Sequence, residues 1–197
     1  MLKIEYIWRE LLYQAIEKNN ISFTNIQLAR RFGLSTSVVA HALSPLKELK
    51  IVDVKKNRSE LIDVERLLTF WATRRRLGND IVYRTYSPLP VLERETFMPG
   101  DVYPTAYSAY RFYFHDTPAD YENVYFYSPD FFSVRRRFPE NPKKQPNIYI
   151  IKSDPFFEIY HKTTLAQIYT DLWNLTEWYA GDFLSAAMLK IKEKIGL

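Results

Sequence analysis

The stretch from Thr24 to Arg58, TNIQLARRFGLSTSVVAHALSPLKELKIVDVKKNR, decides the fold. Thr24 and Gln27 occupy the two positions of a capping box, and Phe23 and Leu28 those of a hydrophobic staple, so a helix begins after Thr24. It runs to Phe32, and Gly33 follows where a helix end needs a residue that tolerates positive φ. Ser35 caps a second helix, with Leu34 and Val39 placed for a second staple. Val39, Leu43, Leu46 and Leu49 are spaced four, three and three apart and predict one buried stripe. Thr36, Ser37, Ala40, His41 and Ser44 fall on other faces and look outward. Pro45 lacks a backbone donor and crowds the His41 carbonyl, which predicts a kink or a break near Ser44. Two β-rich runs, Ile51 to Val54 and Leu61 to Val64, then flank Lys55-Lys56-Asn57-Arg58, as in a hairpin with a basic tip. Helix, turn, helix and basic hairpin in this order read as a winged helix-turn-helix.

Small and polar residues on the outer face of the second helix suit a helix lying in a major groove, where bulky apolar side chains would block approach. The expected DNA contacts are Ser35, Thr36, Ser37 and His41, near the helix N-terminal half, whose dipole also favours phosphate. Lys55, Lys56, Asn57 and Arg58 would reach the flanking backbone or the minor groove. The charge distribution agrees. Residues 1–76 hold 14 Lys/Arg against 8 Asp/Glu, a balance of +6, whereas residues 77–197 hold 13 against 15, a balance of −2. The basic excess therefore sits with the helix-turn-helix, as a polyanion-binding module requires.

The 197 residues are enough for one or two domains with a real core. There are no cysteines, which excludes disulfides and thiolate metal sites. His41, His115 and His161 lie far apart and show no metal-ligand spacing. The five glycines never fall in a phosphate-cradling G-x-x-x-x-G-K frame, so no cofactor is expected. No apolar run approaches the ~20 residues of a membrane span. The N-terminus MLKIEYIWRE carries acids and lacks a signal-peptide core, so a soluble cytoplasmic protein without a membrane partner is expected.

Met1 to Lys18 reads as an amphipathic helix with Ile4, Ile7, Leu11 and Ile16 on its stripe. Val64 to Leu77 reads as another, with Leu67, Leu68 and Trp71 apolar and Arg74-Arg75-Arg76 at its end, where cations favour the dipole. Gly78-Asn79-Asp80 marks a boundary. Beyond it IVYRTY, PVLERETF, NVYFY, FFSVRRRF, IYIIK and FFEIY read as strands; Ala106 to Phe114 fits a short helix or a strand, and the start after Pro104-Thr105 favours the helix. Pro139 to Asn147, with three prolines, is a loop. Thr164 and Gln167 form a further capping box ahead of Leu165, Ile168, Leu172 and Leu175, and Gly181 would separate that helix from a last one over Phe183 to Ile195. The expected fold is α+β. Residues 1–78 form a winged helix-turn-helix DNA-binding domain. Residues 79–197 form a mixed α+β regulatory domain with a small sheet and two C-terminal helices.

Other chemistry is weakly written. Pro129-Asp130 resembles the start of a nuclease carboxylate set, but Tyr160 stands where a Glu158-x-Lys triplet would need lysine. His115-Asp116 has no nucleophile beside it. Arg135-Arg136-Arg137 with Lys143-Lys144 could bind a phosphate backbone or an acidic protein. Of the 32 Phe, Tyr and Trp residues, 25 lie beyond Leu77, and core packing is the simplest account of most of them.

GLSTSVVAHAL with its wing, SAYRFY at Ser108 to Tyr113, and TTLAQIYTDLWNL at Thr163 to Leu175 together resemble the AbiEi-type antitoxins of type IV toxin–antitoxin systems. The last stretch resembles that family's late helix, with a Q-x-x-x-D-L core at Gln167, Asp171 and Leu172. The resemblance implies a transcriptional autorepressor and not an enzyme, with a second domain that counters a nucleotidyltransferase-like toxin. A homodimer on a palindrome is a common arrangement for a winged helix with one reading helix, although no heptad seam is visible. Two alternatives to a regulator are a nucleic-acid-processing enzyme targeted by the winged helix and a protein-interaction scaffold.

Overall fold

The computed structural model describes residues 1–56 and 58–196. The chain is a mixed α+β protein with two small sheets and C-terminal helices. Helix α1 (Lys3–Lys18) leads into strand β1 (Ser22–Phe23), helix α2 (Asn25–Phe32), helix α3 (Thr36–Glu48), and strands β2 (Val52–Asp53) and β3 (Ser59–Leu61). The three strands form an antiparallel sheet in the order β1-β3-β2, with Val52 opposite Leu61 and Phe23 opposite Ser59. Helix α4 (Val64–Arg74) follows, capped by the Asp63 carboxylate, which accepts from the Arg66 amide at 2.9 Å. Asp63 is therefore a cap, and the second hairpin strand ends at Leu61, short of the expected Val64.

A 3₁₀ turn at Leu77–Asp80 leads into strand β4 (Ile81–Thr85). Then come helix α5 (Val91–Thr96), strand β5 (Tyr103–Thr105), helix α6 (Ala106–Phe114), strand β6 (Val124–Ser128), helix α7 (Phe132–Arg137) and strand β7 (Ile148–Lys152). A second 3₁₀ turn at Phe157–Tyr160 precedes helices α8 (Leu165–Trp173) and α9 (Ala180–Ile195). The second sheet has the order β4-β7-β6-β5, with β6 and β7 parallel and the outer pairs antiparallel. All five residues of β6 are buried, as a central strand covered on both faces requires. Among the described residues no helix is long and apolar enough to cross a membrane.

Several expectations are corrected. PVLERETF is not a strand: Val91–Thr96 is helical, and it buries Arg94 and Glu95. Glu95 accepts from the Tyr121 hydroxyl at 2.6 Å and pairs with Arg111. FFSVRRRF is helix α7, and FFEIY is the second 3₁₀ turn. In each case a run of five to eight apolar and charged residues satisfies either period, and interactions distant in sequence decide between them. Helix α4 ends at Arg74, and Arg75 turns inward. Gly181 lies inside the first turn of α9, and the break falls at Asn174–Tyr179 instead. Helix α3 passes through Pro45 without a break, because burial of Val39, Leu43 and Leu46 outweighs one lost hydrogen bond. Leu49, expected on that stripe, lies past the helix end and is 42% exposed.

Helices α1 and α4 pack against α8, and the contact holds a chain of buried polar groups. The Arg9 guanidinium grips Asp154 with both terminal nitrogens, at 2.7 and 2.8 Å. Its Nη1 also donates to Gln167 Oε1 at 3.0 Å. Gln167 Nε2 donates to the Tyr127 hydroxyl at 2.7 Å, which donates to Asp171 Oδ2 at 2.8 Å, and the Thr105 hydroxyl donates to the same oxygen at 2.7 Å, leaving Asp171 Oδ1 buried without a hydrogen bond. Arg75 closes the chain, with Nη2 3.4 Å from the Tyr127 hydroxyl, Nε 3.8 Å from Asp171 Oδ1, and an ion pair to Asp80. Gln167 is thus spent on the core. The Thr164 hydroxyl accepts from the Gln167 amide at 3.2 Å, but the reciprocal half of the expected capping box is not made. The aromatic wealth is absorbed in a similar way. The hydroxyls of Tyr107 and Tyr125 both reach the Glu177 carboxylate, at 3.0 and 2.6 Å.

Burial pushes the Asp171 carboxyl up to about 6, against the pull of Arg75 and the hydrogen bonds from Thr105 and Tyr127. Between about pH 4 and 6 the folded chain holds that proton more tightly than the unfolded chain does. Asp171 therefore favours folding at the acid end and loses that contribution as the pH rises to about 6. Relative to Asp171→Asn, the stability of the parent chain falls by ~3 kcal/mol between about pH 4 and pH 7, measured by urea unfolding across that range. Replacing Asp154 by Asn leaves the Arg9 charge buried without its counter-ion. It lowers unfolding free energy by about 3–5 kcal/mol in the same assay, whereas Arg9→Met with Asp154→Leu recovers part of the loss.

Candidate nucleic-acid interface

The turn between α2 and α3 is built as the sequence predicts. The Thr24 hydroxyl accepts from the Gln27 amide at 3.1 Å, but the reciprocal half of the expected capping box is not made, since Gln27 Oε1 takes the Thr24 hydroxyl at 3.0 Å. Gly33 adopts φ +58, and the amides of Gly33 and Leu34 close on the carbonyls of Arg30 and Ala29 at 3.4 and 2.9 Å. This double closure satisfies the last carbonyls of α2 and sets the angle at which α3 departs. The Ser35 hydroxyl accepts from the Val38 amide at 3.3 Å and caps α3. Val39, Ala42, Leu43 and Leu46 face the core, and the Trp8 indole of α1 donates to the Ala42 carbonyl at 2.9 Å. That bond fixes the rotation of α3 about its own axis, because it reaches a backbone atom on the buried side only.

The opposite side of α3 is open. Ser35, Thr36, Ser37, Ala40, His41 and Ser44 are all exposed, and none is large. Pro45 leaves the His41 carbonyl without its usual donor four residues on. Beside the helix, the β2–β3 hairpin is closed by Ser59, which is buried. Its hydroxyl accepts from the Lys55 amide at 3.2 Å and donates to the Lys55 carbonyl at 3.5 Å. Lys55, Lys56 and Arg58 are exposed at the tip, and Asn57 lies outside the described residues. Lys55 is not a free cation. Its ammonium meets Asp53 at 2.8 Å, and that carboxylate raises its pKa.

Sequence reasoning missed three further exposed cations in this segment, Arg30 on α2, Lys47 on α3 and Lys50 just beyond it. Their position in the helical frame, away from the apolar stripe, was the available signal. The Arg74-Arg75-Arg76 run divides. Arg75 belongs to the buried chain, Arg74 lies 3.5 Å over the Phe70 ring, and Arg76 donates to the Thr73 carbonyl at 3.0 Å.

The other candidate residues are not brought together. Asp130 caps a turn, its carboxylate accepting from the Phe132 amide at 2.8 Å. Glu158 is exposed in the second 3₁₀ turn, and Asp116 accepts from the neighbouring Thr117 amide at 2.8 Å. Among the described residues no group of three His, Asp or Glu is placed to hold a metal ion. Arg135, Arg136 and Arg137, expected on the two faces of a strand, instead follow one another around α7. Arg135 pairs with Glu140 at 3.2 Å, and Arg137 donates to the Phe97 carbonyl at 2.8 Å.

No protein-family model, curated protein or solved structure matches the chain. The site is therefore read from its own geometry. Removing the α3 cap by Ser35→Ala destabilises the chain by about 1 kcal/mol in thermal or urea unfolding, leaving it folded for binding assays.

Proposed function

We propose that the chain is a duplex-DNA-binding transcriptional regulator whose first 78 residues act as a winged helix-turn-helix. One observation carries this reading. The solvent face of α3 holds only small or polar residues, and α3 packs on β2, whose hairpin ends in an exposed cationic tip. A helix of this width, with that face clear, fits the major groove. Ser35 and Thr36 stand at its N-terminal end for phosphate, and Ser37 and His41 lie further along for base edges. Lys56 and Arg58 meet the flanking backbone, with Lys55 at the same tip. Lys55 contributes less than its neighbours, since Asp53 must first release it.

The finer reading is an antitoxin-like autorepressor. It rests on the resemblance of residues 33–43, 108–113 and 163–175 to the AbiEi-type antitoxins, and it assigns to residues 79–197 the task of countering a nucleotidyltransferase-like toxin. Support comes from the chemistry of the first 76 residues, whose balance of +6 suits a polyanion partner.

Binding to the chain's own promoter fragment tests the regulator reading. Replacing Lys56 and Arg58 together by Ala weakens binding to specific and non-specific duplexes alike and lowers the slope of log affinity against log salt by about 2. His41→Ala weakens specific binding by about 1–3 kcal/mol and leaves the non-specific affinity unchanged. Titration by fluorescence anisotropy across salt concentrations reads both. An unchanged salt slope in the double variant removes the wing from the mechanism.

A further inference from the structure

An open groove of about 800 Å³ lies on the C-terminal half, between edge strand β4 and the Pro139–Asn147 loop. Arg84 lines it from β4, and Lys143 and Lys144 line it from the loop. All three are exposed, and among the described residues none of them pairs with a carboxylate. The acid in the lining, Glu140, is already held by Arg135 at 3.2 Å. This half of the chain carries more acids than bases, so three unmatched cations around one groove are not its average surface.

The groove is also preorganised. Its loop contains three prolines and is pinned at both ends. At one end the Thr85 hydroxyl donates to the Pro139 carbonyl at 2.7 Å and accepts from the Asn141 amide at 3.1 Å. At the other, the buried Asn147 side chain exchanges two hydrogen bonds of 2.9 Å with the Ser87 backbone. Tyr149, which also lines the groove, is fixed by a bond of 2.9 Å to the Pro146 carbonyl and by stacking on Tyr125 with ring centroids 4.6 Å apart. Asn141 and Gln145 also line the groove.

We propose that this groove binds a nucleoside di- or triphosphate, with its phosphates on Arg84, Lys143 and Lys144 and its base against Asn141, Gln145 and Tyr149. Three cations match the charge of such a chain of phosphates. Two amides offer both donors and acceptors to a base edge, and an aromatic ring offers it a surface. The volume is that of a small-molecule site and exceeds what a single phosphate needs. The phosphates are held here by side chains, without a glycine loop. The site is independent of the DNA-binding reading, and its assay contains no duplex, so either can fail without the other.

Isothermal titration of the full chain with ATP, GTP and inorganic tripolyphosphate tests it. The expected result is saturable binding of a nucleotide, one per chain, tighter than that of tripolyphosphate. Arg84→Gln with Lys143→Gln and Lys144→Gln weakens it by about tenfold to a hundredfold, whereas Lys56→Gln with Arg58→Gln has no effect. Asn141→Ala with Gln145→Ala weakens the nucleotide and leaves tripolyphosphate unchanged, which separates a base contact from simple charge. These positions are exposed or at the loop surface, and unchanged thermal melting shows that the variants are folded. The proposal is overturned by the absence of saturable binding, by affinity that survives loss of the three cations, or by equal affinity for nucleotide and tripolyphosphate. Preference of the same residues for a short single-stranded DNA over either nucleotide also overturns it, and assigns the groove to a phosphodiester backbone.

Discussion

The Arg9–Asp154 pair is the constraint on which the arrangement of this chain depends. A fully buried guanidinium has few acceptable environments, and here it has one carboxylate gripped by two nitrogens and one amide oxygen. Satisfying it brings together the first helix, the segment after the last strand, and α8. Once α8 is placed, Gln167 and Asp171 point at Tyr127 on the central strand, and Arg75 at the end of α4 completes the set. Each member of this chain of bonds needs the others. Removing one leaves a neighbour buried with an unmet charge or hydrogen bond, so the helices around it hold one relative position.

Helix α1 consequently serves two surroundings. Through Trp8 it fixes α3, the helix whose outer face is open. Through Arg9 it binds the C-terminal half, and through Glu10 it joins both, since that carboxylate takes the Tyr160 hydroxyl at 2.8 Å and the Arg31 guanidinium of α2 at 2.9 Å. Three successive residues thus tie the exposed helix, the helix before it and the second sheet's flanking turn to one rod. Aromatic packing reinforces the junction. Phe156 meets Tyr6 and Phe32 with centroids 5.3 and 5.1 Å apart, bridging the two halves next to the ion pair.

Legibility varied with how local the deciding interaction was. The cap at Thr24, the αL position of Gly33, the cap at Ser35 and the outward turn of Thr36, Ser37 and His41 were readable, since each depends on residues within one or two turns. The edges of α6 were readable for the same reason. The three misassigned strands failed together, because short runs such as FFSVRRRF carry aromatic β-propensity and helix-compatible spacing at once. What settles them is distant: as helices, these segments bring Arg137 to the Phe97 carbonyl and Glu95 to Tyr121. Gln167 misled for the opposite reason. It sits at a capping-box position, but a buried arginine more than a hundred residues away claims its side chain. The exposed candidates of the interface were legible as residues. The pairing of Lys55 with Asp53 across the hairpin needed the register of the strands.

By itself the sequence determined the order of the N-terminal helices, the caps at Thr24 and Ser35, the buried stripe of α3 from Val39 to Leu46 and the basic excess of the first 76 residues, because periodicity, capping and charge are properties of neighbours along the chain. Only the tertiary structure decided which polar residues are interior. Nothing in their local context separates Arg9, Arg75, Gln167 or Asp171 from surface residues, because the groups that neutralise them come from distant helices and strands. It also decided that Arg84, Lys143 and Lys144, apart in sequence, share one groove. An edge strand and a proline-stiffened loop are brought side by side by sheet pairing, which is set by the whole core.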